Sequence, residues 1–411
     1  MTRSIIYMRK IVSKSKAEGV VSAPASKSVA HRMLILAALC KDKTSVIRGI
    51  SPSEDVSATI DCLTGMGVKI EYDGDSATVH GIDFSKVNIS EPLNCRESGS
   101  TLRFLIPLAM LSGNEVKFVG SERLMARPQS IYETIAKEEG LTFKRDKDSI
   151  TVCGPLRAGE YFIDGNVSSQ FITGLLFALS TMDGDTKIIF NTPIESRPYV
   201  ELTVWTMQKF GARVYYDTDW SFFMFGGQQF KPQNLTVEGD WSNASFLEAF
   251  NHIGGQVQVL GVDEESLQGD RVCREYFDRL DKGYCELNIS NCPDLGPILF
   301  TMAAIKDGAR FTGTKRLRDK ESDRISAMKS ELEKFGAELD VEENAVTVKN
   351  CNLHAPSESL YGHNDHRIVM SLSVICSLFG GEIEGCEAVS KSYPGFFKDI
   401  KALGIKVNDI E

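Results

Sequence analysis

The sequence predicts an α/β protein of two domains in which one helix-and-strand pattern recurs six times. Three observations predict it: a length beyond one core, a recurring apolar helix, and a recurring polar helix that ends in glycine before a strand. At 411 residues the chain exceeds what a single hydrophobic core usually organises, so about two or three domains are expected. With 42% hydrophobic and 25% charged residues, it has the balance of a globular protein and not of a disordered or fibrous one.

The apolar helix opens on small or acidic residues. It is read as APASKSVAHRMLILAAL from Ala23, SGSTLRFLIPLAML from Ser98 and GNVSSQFITGLLFAL from Gly165. It returns as GDWSNASFLEAF from Gly239, CPDLGPILFTMAAI from Cys292 and GHNDHRIVMSLSVI from Gly362. Segments such as Phe171 to Leu179 and Leu299 to Ile305 are apolar nearly all round, which predicts burial and not a surface position. The opening Ser, Thr, Gly, Asn and Asp residues are N-cap chemistry. A helix N-terminus carries unpaired N–H groups and a partial positive charge, so several such ends brought together would suit an anion.

The polar helix ends at Gly67, Gly140, Gly211, Gly336 and Gly404, with a weaker copy at Gly283. Glycine takes the left-handed conformation of a helix C-cap most cheaply, and the alternating residues that follow read as strands. The period is roughly 70 residues, shortened to about 53 for the fifth copy. Six units of two helices plus strands divide most simply into three per domain.

Several function classes are excluded or disfavoured. A net charge of −10 argues against a general nucleic-acid binder, although it permits a local basic cluster around a small anion. No run of about 18 apolar residues is present to span a bilayer. Residues Met1 to Lys10 show no signal-peptide core or cleavage site. Ten cysteines are scattered without a CxxC pair, which reads as reduced thiols in a cytoplasmic protein, with neither a disulfide framework nor a zinc site. No P-loop, GxGxxG turn or GxSxG elbow occurs, and the His363/His366 pair lacks a third metal ligand nearby.

Against this acidic background the cations are placed unusually. Lys27 and Arg32 sit at the start of the first apolar helix, Arg103 in the second, and Arg367 at the start of the sixth. Arg127 precedes Pro128 in a loop-like segment, and Lys391 lies shortly before Tyr393 and Pro394. Lys320, Glu321, Asp323 and Arg324 open a helix read as far as Phe335. Charges at the ends of apolar helices are costly to bury without counter-charges, so their recurrence in both halves fits one shared polyanionic ligand. Ser168, Ser169 and Gln170 add neutral donors at a helix start. Asp294 and Glu321 stand beside the cations and are candidates for proton transfer, although a lone Asp at a helix start is commonly a cap.

At these residues the sequence resembles the enolpyruvyl transferases. The matching stretches, in order along the chain, are PASKSVAHR from Pro24, ESGSTLR from Glu97, ARPQ from Ala126, GNVSSQF from Gly165 and SRPYVELT from Ser196. They continue with PDLGP from Pro293, RLRDKESDRI from Arg316, NDHRI from Asn364 and SKSYPGFF from Ser390. The resemblance implies an inside-out α/β barrel of two domains, each of three βαβαββ units, with helix N-termini facing an interdomain cleft that closes on substrate. It implies that residues 1–22 return to join 237–411 in one domain, and that 23–236 form the other.

The activity implied is transfer of the carboxyvinyl group of phosphoenolpyruvate to the 5-hydroxyl of shikimate 3-phosphate. It proceeds by addition and elimination through a tetrahedral intermediate and uses no metal or organic cofactor. The partners implied are these two small anions alone, with no nucleic acid or membrane, acting on a monomer. Carried over by motif, phosphoenolpyruvate would be held by Lys27, Gly99, Arg127, Gln170, Arg324, Arg367 and Lys391. Shikimate 3-phosphate would meet Lys27, Ser28, Arg32, Ser168, Ser169, Gln170, Ser196, Arg197, Tyr199, Asp294 and Lys320. Asp294 is expected as the base on the hydroxyl and Glu321 as the acid toward the methylene carbon, with Lys27 a rival for that proton.

The chain departs from the family pattern at Glu97, a carboxylate where Asn is common. Glu97 would repel phosphate unless paired with a neighbour such as Arg96 or Arg127. Phe104 and Arg197 are further departures, so glyphosate sensitivity is not legible. Two other readings share the fold: the sister transferase acting on UDP-N-acetylglucosamine, and an inactive scaffold. Residues 121–130 hold no Cys, which disfavours the sister enzyme, and the intact charged set disfavours the scaffold.

Overall fold

The computed structural model describes residues 8–410. Residues 1–7 of the expected 1–22 segment, and Glu411, lie outside the described residues. The chain separates into two compact units, one of Ala25–Glu238 and the other joining the residues up to Pro24 with those from Gly239 onward.

The unit Ala25–Glu238 holds three four-stranded sheets of one topology. In the first repeat, Asn234–Thr236 pairs parallel with Thr44–Arg48, which pairs antiparallel with Ala77–His80, and Lys69–Tyr72 forms the edge. The second repeats this with Leu93–Asn94, Glu115–Val119, Ser149–Cys153 and Thr142–Arg145. The third uses Glu160–Asp164, Thr186–Thr192, Phe222–Met224 and Val214–Tyr216. Each repeat contributes one core helix: Lys27–Ala38, Gly99–Ala109 and Ser169–Leu179. These helices are buried along nearly their whole length, as their all-round apolar sequences require. Gly174 lets two of them approach: a Cβ there would lie 2.3 Å from the carbonyl oxygen of Arg103.

The other unit carries the fourth to sixth repeats around Trp241–Ala249, Gly296–Ile305 and His366–Phe379. The fifth sheet, Cys285–Asn288, Ala309–Thr312, Ala345–Val348 and Leu339–Val341, has the same order. In the sixth, the last hairpin strand is replaced by Arg9–Ser13, which pairs antiparallel with both Gly381–Glu384 and Lys406–Ile410.

The fourth repeat is shorter than the βαβαββ pattern. Its sheet has only Glu18–Ser22 parallel to Gln256–Leu260, and helix Cys273–Asp281 runs through Gly283, at φ 119°, into the fifth repeat. A missing hairpin thus accounts for the contracted spacing in the sequence. The edge it would have covered is blunted by Asn251, whose carboxamide accepts from Val257 N at 2.6 Å and donates to Val257 O at 2.9 Å.

Two strands pair in the unit that the chain is about to leave. Glu18–Ser22 precedes the first core helix yet joins the fourth repeat, and Asn234–Thr236 precedes the fourth core helix yet joins the first. The helix expected to open at Lys320 begins instead at Arg324. The Asp323 carboxylate caps it by accepting from the N–H groups of Ile325 and Ser326, which leaves Lys320 to Ser322 outside. No helix among the described residues is long and apolar enough to cross a membrane.

Candidate active site

In the unit Ala25–Glu238, each core helix begins with a serine cap: Ser26 accepts from Val29 N, Ser98 from Thr101 N, and Ser168 from Gln170 N. Lys27 follows the first cap, and its ammonium lies 2.8 Å from Asp55 Oδ2. One turn later Arg32 is almost wholly buried, donating to Thr203 Oγ1 at 2.8 Å, Ser28 O at 2.8 Å and Tyr199 O at 2.9 Å. Burial lowers its pKa to about 10, partly opposed by Tyr199. The structure therefore brings Ser28, Arg32 and Tyr199 together through backbone carbonyls. Thr203 continues this network to Thr173 at 2.8 Å.

A second group forms at the starts of the second and third helices. Arg103 donates to Gln170 Oε1 at 2.8 Å and Pro128 O at 2.9 Å, and Gln170 Nε2 donates to Ser100 Oγ at 3.1 Å. Gly99 gives Arg127 its place: a Cβ at Gly99 would lie 2.6 Å from Arg127 Nη1 and 3.5 Å from Gln170 Oε1. Arg145 holds the Arg127 segment by donating to the carbonyls of Arg127, at 2.9 Å, and Met125, at 2.6 Å. Of the two partners weighed for Glu97, Arg96 is directed elsewhere, to Asp61 at 2.6 Å. Ser169 is buried in the first turn after Ser168, and Ser196 is buried in the left-handed region at φ 51°. Arg197 stacks over the Trp220 ring at 4.2 Å.

In the other unit, Asp294 is the centre of a cationic group. Its Oδ1 accepts from Lys320 Nζ at 3.0 Å and Arg324 Nη1 at 2.8 Å, and its Oδ2 from Arg367 Nη2 at 3.1 Å. It lies within the short turn Pro293–Leu295, just before the helix Gly296–Ile305. Burial pushes its carboxyl upward, but Arg367, Lys320 and Arg324 together hold it well below the usual carboxylate range. The pKa of Lys320 is lowered to about 8, first by burial and then by Arg324 and Arg316, against Asp294 and Glu321. Arg324, 1% exposed, also donates to Asp365 Oδ2 at 2.8 Å and Glu321 Oε2 at 2.7 Å. Lys391 Nζ donates to Asn364 O at 2.5 Å.

Some participants were not legible in the sequence. Asp55 lies in the first turn of helix Glu54–Gly65, where an acidic residue reads as ordinary dipole complement. Asp365 was within the NDHR stretch, but its double use, as cap for Arg367 N and as partner of Arg324, depends on distant elements. Arg103 stood out by sequence, yet its bond to Gln170 Oε1 was not foreseen.

A family model described as EPSP synthase (3-phosphoshikimate 1-carboxyvinyltransferase) matches residues 11–400. A protein of Clostridium kluyveri named 3-phosphoshikimate 1-carboxyvinyltransferase is 38% identical over 425 residues, covering 97% of this chain and 98% of its own. A Clostridium perfringens protein of the same name is 36% identical over 416 residues, covering 96% and 98%. The fold alone is shared with EPSP synthase from Acinetobacter baumannii, at TM-score 0.77, 21% identity and coverage of 98% of this chain and 100% of that one. It is also shared with the enolpyruvyl transferase NikO from Streptomyces tendae, at TM-score 0.75, 15% identity and coverage of 98% and 99%. Matched along almost its whole length by the family model and by both clostridial relatives, the chain belongs to the EPSP synthase (3-phosphoshikimate 1-carboxyvinyltransferase) family.

Proposed function

We propose that the chain transfers the 1-carboxyvinyl group of phosphoenolpyruvate to the 5-hydroxyl of shikimate 3-phosphate and releases inorganic phosphate, a step of the shikimate pathway toward chorismate and the aromatic amino acids. The observation that carries this reading is the Asp294 carboxylate ringed by Lys320, Arg324 and Arg367. A carboxylate held ionised among three cations serves a reaction that must both neutralise anions and remove a proton.

Asp294 takes the hydroxyl proton as the 5-oxygen bonds to C2 of phosphoenolpyruvate. A proton is delivered to the methylene carbon in the same addition. In the elimination, a proton leaves the new methyl group, the double bond re-forms and phosphate departs. A carboxylate with so low a pKa is a weak base in the empty protein. Anionic substrates drawing on the same cations raise its basicity when they bind.

Glu321 is assigned the proton delivery. Lys27, whose ammonium lies 2.8 Å from Asp55 Oδ2, is the second reading. Lys27, Gly99, Arg127, Gln170, Arg324, Arg367 and Lys391 are assigned to phosphoenolpyruvate, where guanidinium forks match carboxylate and phosphate. Lys27, Ser28, Arg32, Ser168, Ser169, Gln170, Ser196, Arg197, Tyr199, Asp294 and Lys320 are assigned to shikimate 3-phosphate. The existing bonds of Arg32 and Gln170 mean that these two act as much by fixing the pocket wall as by direct contact. The reading includes a monomer, and a cytoplasmic location with which ten free cysteines agree.

Purified protein given both substrates should release phosphate and form the enolpyruvyl ether, seen by mass spectrometry. Omitting shikimate 3-phosphate, or replacing it with UDP-N-acetylglucosamine, should abolish release. Folded protein that releases no phosphate with both substrates present would overturn the reading.

A further inference from the structure

Lys391 and Arg324 both bond to one short loop, residues 362–365, between the strand Leu360–Tyr361 and the core helix His366–Phe379. Two consecutive non-glycine residues in it, His363 at φ 49° and Asn364 at φ 52°, occupy the left-handed region. Such backbone persists only where its surroundings over-determine it. The Asn364 carbonyl so oriented accepts from Lys391 Nζ, and the next residue, Asp365, accepts from Arg324 Nε at 2.8 Å.

Gly362 N donates to Glu384 O at 2.8 Å and Asp365 N to Gly362 O at 2.9 Å, and a further restraint comes from the far end of the Arg324 helix. Glu331 is 2% exposed, seven residues and so about two turns beyond Arg324 on the same helix face. Its Oε2 accepts from Tyr361 N at 2.9 Å and from Lys334 Nζ at 2.9 Å. Its Oε1 lies 2.8 Å from His363 Nε2 and accepts from Ser330 Oγ at 3.1 Å. An ionised carboxylate only accepts, so the imidazole carries its proton on Nε2 in this contact. The helix therefore grips the loop twice, by Arg324 at Asp365 and by Glu331 at Tyr361 and His363. Of the strained pair, His363 is itself gripped, and Asn364 lies between it and Asp365.

We propose that Glu331 and His363 are positioning residues for the transfer reaction. They hold the left-handed turn that aims the Asn364 carbonyl at Lys391, and thereby set the ammonium that meets phosphoenolpyruvate. The proposal rests on the function proposed above for its substrate, but the placement of Lys391 is measurable without turnover. A buried carboxylate that served stability alone would be needed for folding and would leave substrate selectivity unchanged.

The test compares His363→Ala with His363→Gln, whose amide N–H restores a donor toward Glu331, on full-length protein with melting temperatures recorded. His363→Ala should raise KM for phosphoenolpyruvate about tenfold, leave KM for shikimate 3-phosphate within twofold and change kcat less than threefold. His363→Gln should recover most of the loss. Independently, acetylation of Lys391 by acetic anhydride, followed by peptide mass spectrometry without substrates, should be several-fold faster in His363→Ala than in the parent and in His363→Gln. Equal KM effects on both substrates, a fall in melting temperature with no KM change, or unchanged Lys391 acetylation would each overturn the proposal. An inactive parent that still shows faster Lys391 acetylation in the alanine variant would refute the substrate reading while sustaining the clamp.

Discussion

The Lys320 ammonium gives the sharpest prediction, because its charge is lost within the range of an ordinary pH profile. The side chain is 19% exposed, lies 3.0 Å from Asp294, and titrates at about 8. The protonated form binds anions and the neutral form does not, so kcat/KM for shikimate 3-phosphate should be full below this pKa and fall as pH rises through it. One unit above the pKa, about one molecule in ten retains the charge, so kcat/KM should drop about tenfold by pH 9 and about a hundredfold by pH 10. Phosphate monoesters have their second pKa near 6, so substrate ionisation acts on the acid side and leaves the alkaline limb to the protein. At saturating substrate the bound anion favours the ammonium, and the limb in kcat should lie at higher pH than that in kcat/KM. Lys320→Arg keeps the charge at any accessible pH and should remove the alkaline limb from kcat/KM, even if geometry costs some rate. Initial rates of phosphate release between pH 6 and 10, for parent and variant, measure this. An arginine variant with the same limb at the same pH would show that another group titrates and that Lys320 is not the cation in question.

Two further outcomes follow from named contacts. Asp294→Asn keeps the shape but gives up the proposed base, and should lower kcat by about 10²–10⁴ with both KM values within a few-fold, read from phosphate release. Unchanged turnover would place the base elsewhere. Gly99→Ala puts a Cβ 2.6 Å from Arg127 Nη1, so the guanidinium must move. KM for phosphoenolpyruvate should rise about tenfold, by the loss of roughly one charge-assisted bond, and KM for shikimate 3-phosphate much less. Equal increases in both would contradict the place assigned to Arg127.

The repeat was legible because its two signals are local. An all-round apolar helix must be buried wherever it goes, and a glycine that ends a helix at positive φ does so by its own backbone freedom; Gly67, Gly140, Gly211, Gly336 and Gly404 all have positive φ. The exchanged strands were not legible, because Glu18–Ser22 is exposed or half-exposed throughout and lacks the alternation that marks a half-buried strand. Its partner lies more than 230 positions away. The missing hairpin left a trace only as a shortened interval, and spacing cannot tell which element has been lost. In the site, arginines and lysines at helix starts were visible, whereas Asp55 and Glu331 were not, and Asp365 showed only as part of the NDHRI stretch. Each of these is an ordinary acid on a helix or at its cap, and its role exists only through partners brought in by the fold.

The six core helices divide by the chemistry at their N-termini, and the division follows the two units. Ser26, Ser98 and Ser168 cap the three helices of the unit Ala25–Glu238 with neutral hydroxyls. In the other unit, Asp240 and Asp365 cap two helices and Asp294 lies just before the third. A serine satisfies an N–H group without cancelling the positive field of the helix end, so that field adds to nearby Lys27, Arg103 and Arg127. An aspartate cancels the field and attracts cations of its own, as Asp365 does with Arg324. One unit therefore keeps the positive field of its helix ends, although Lys27 there is paired with Asp55. The other holds an ionised carboxylate beside its counter-charges, and both oxygens of Asp294 meet cations. Serine at position 294 would match the caps of the first unit, and would remove the carboxylate that Lys320, Arg324 and Arg367 share, and with it the proposed base.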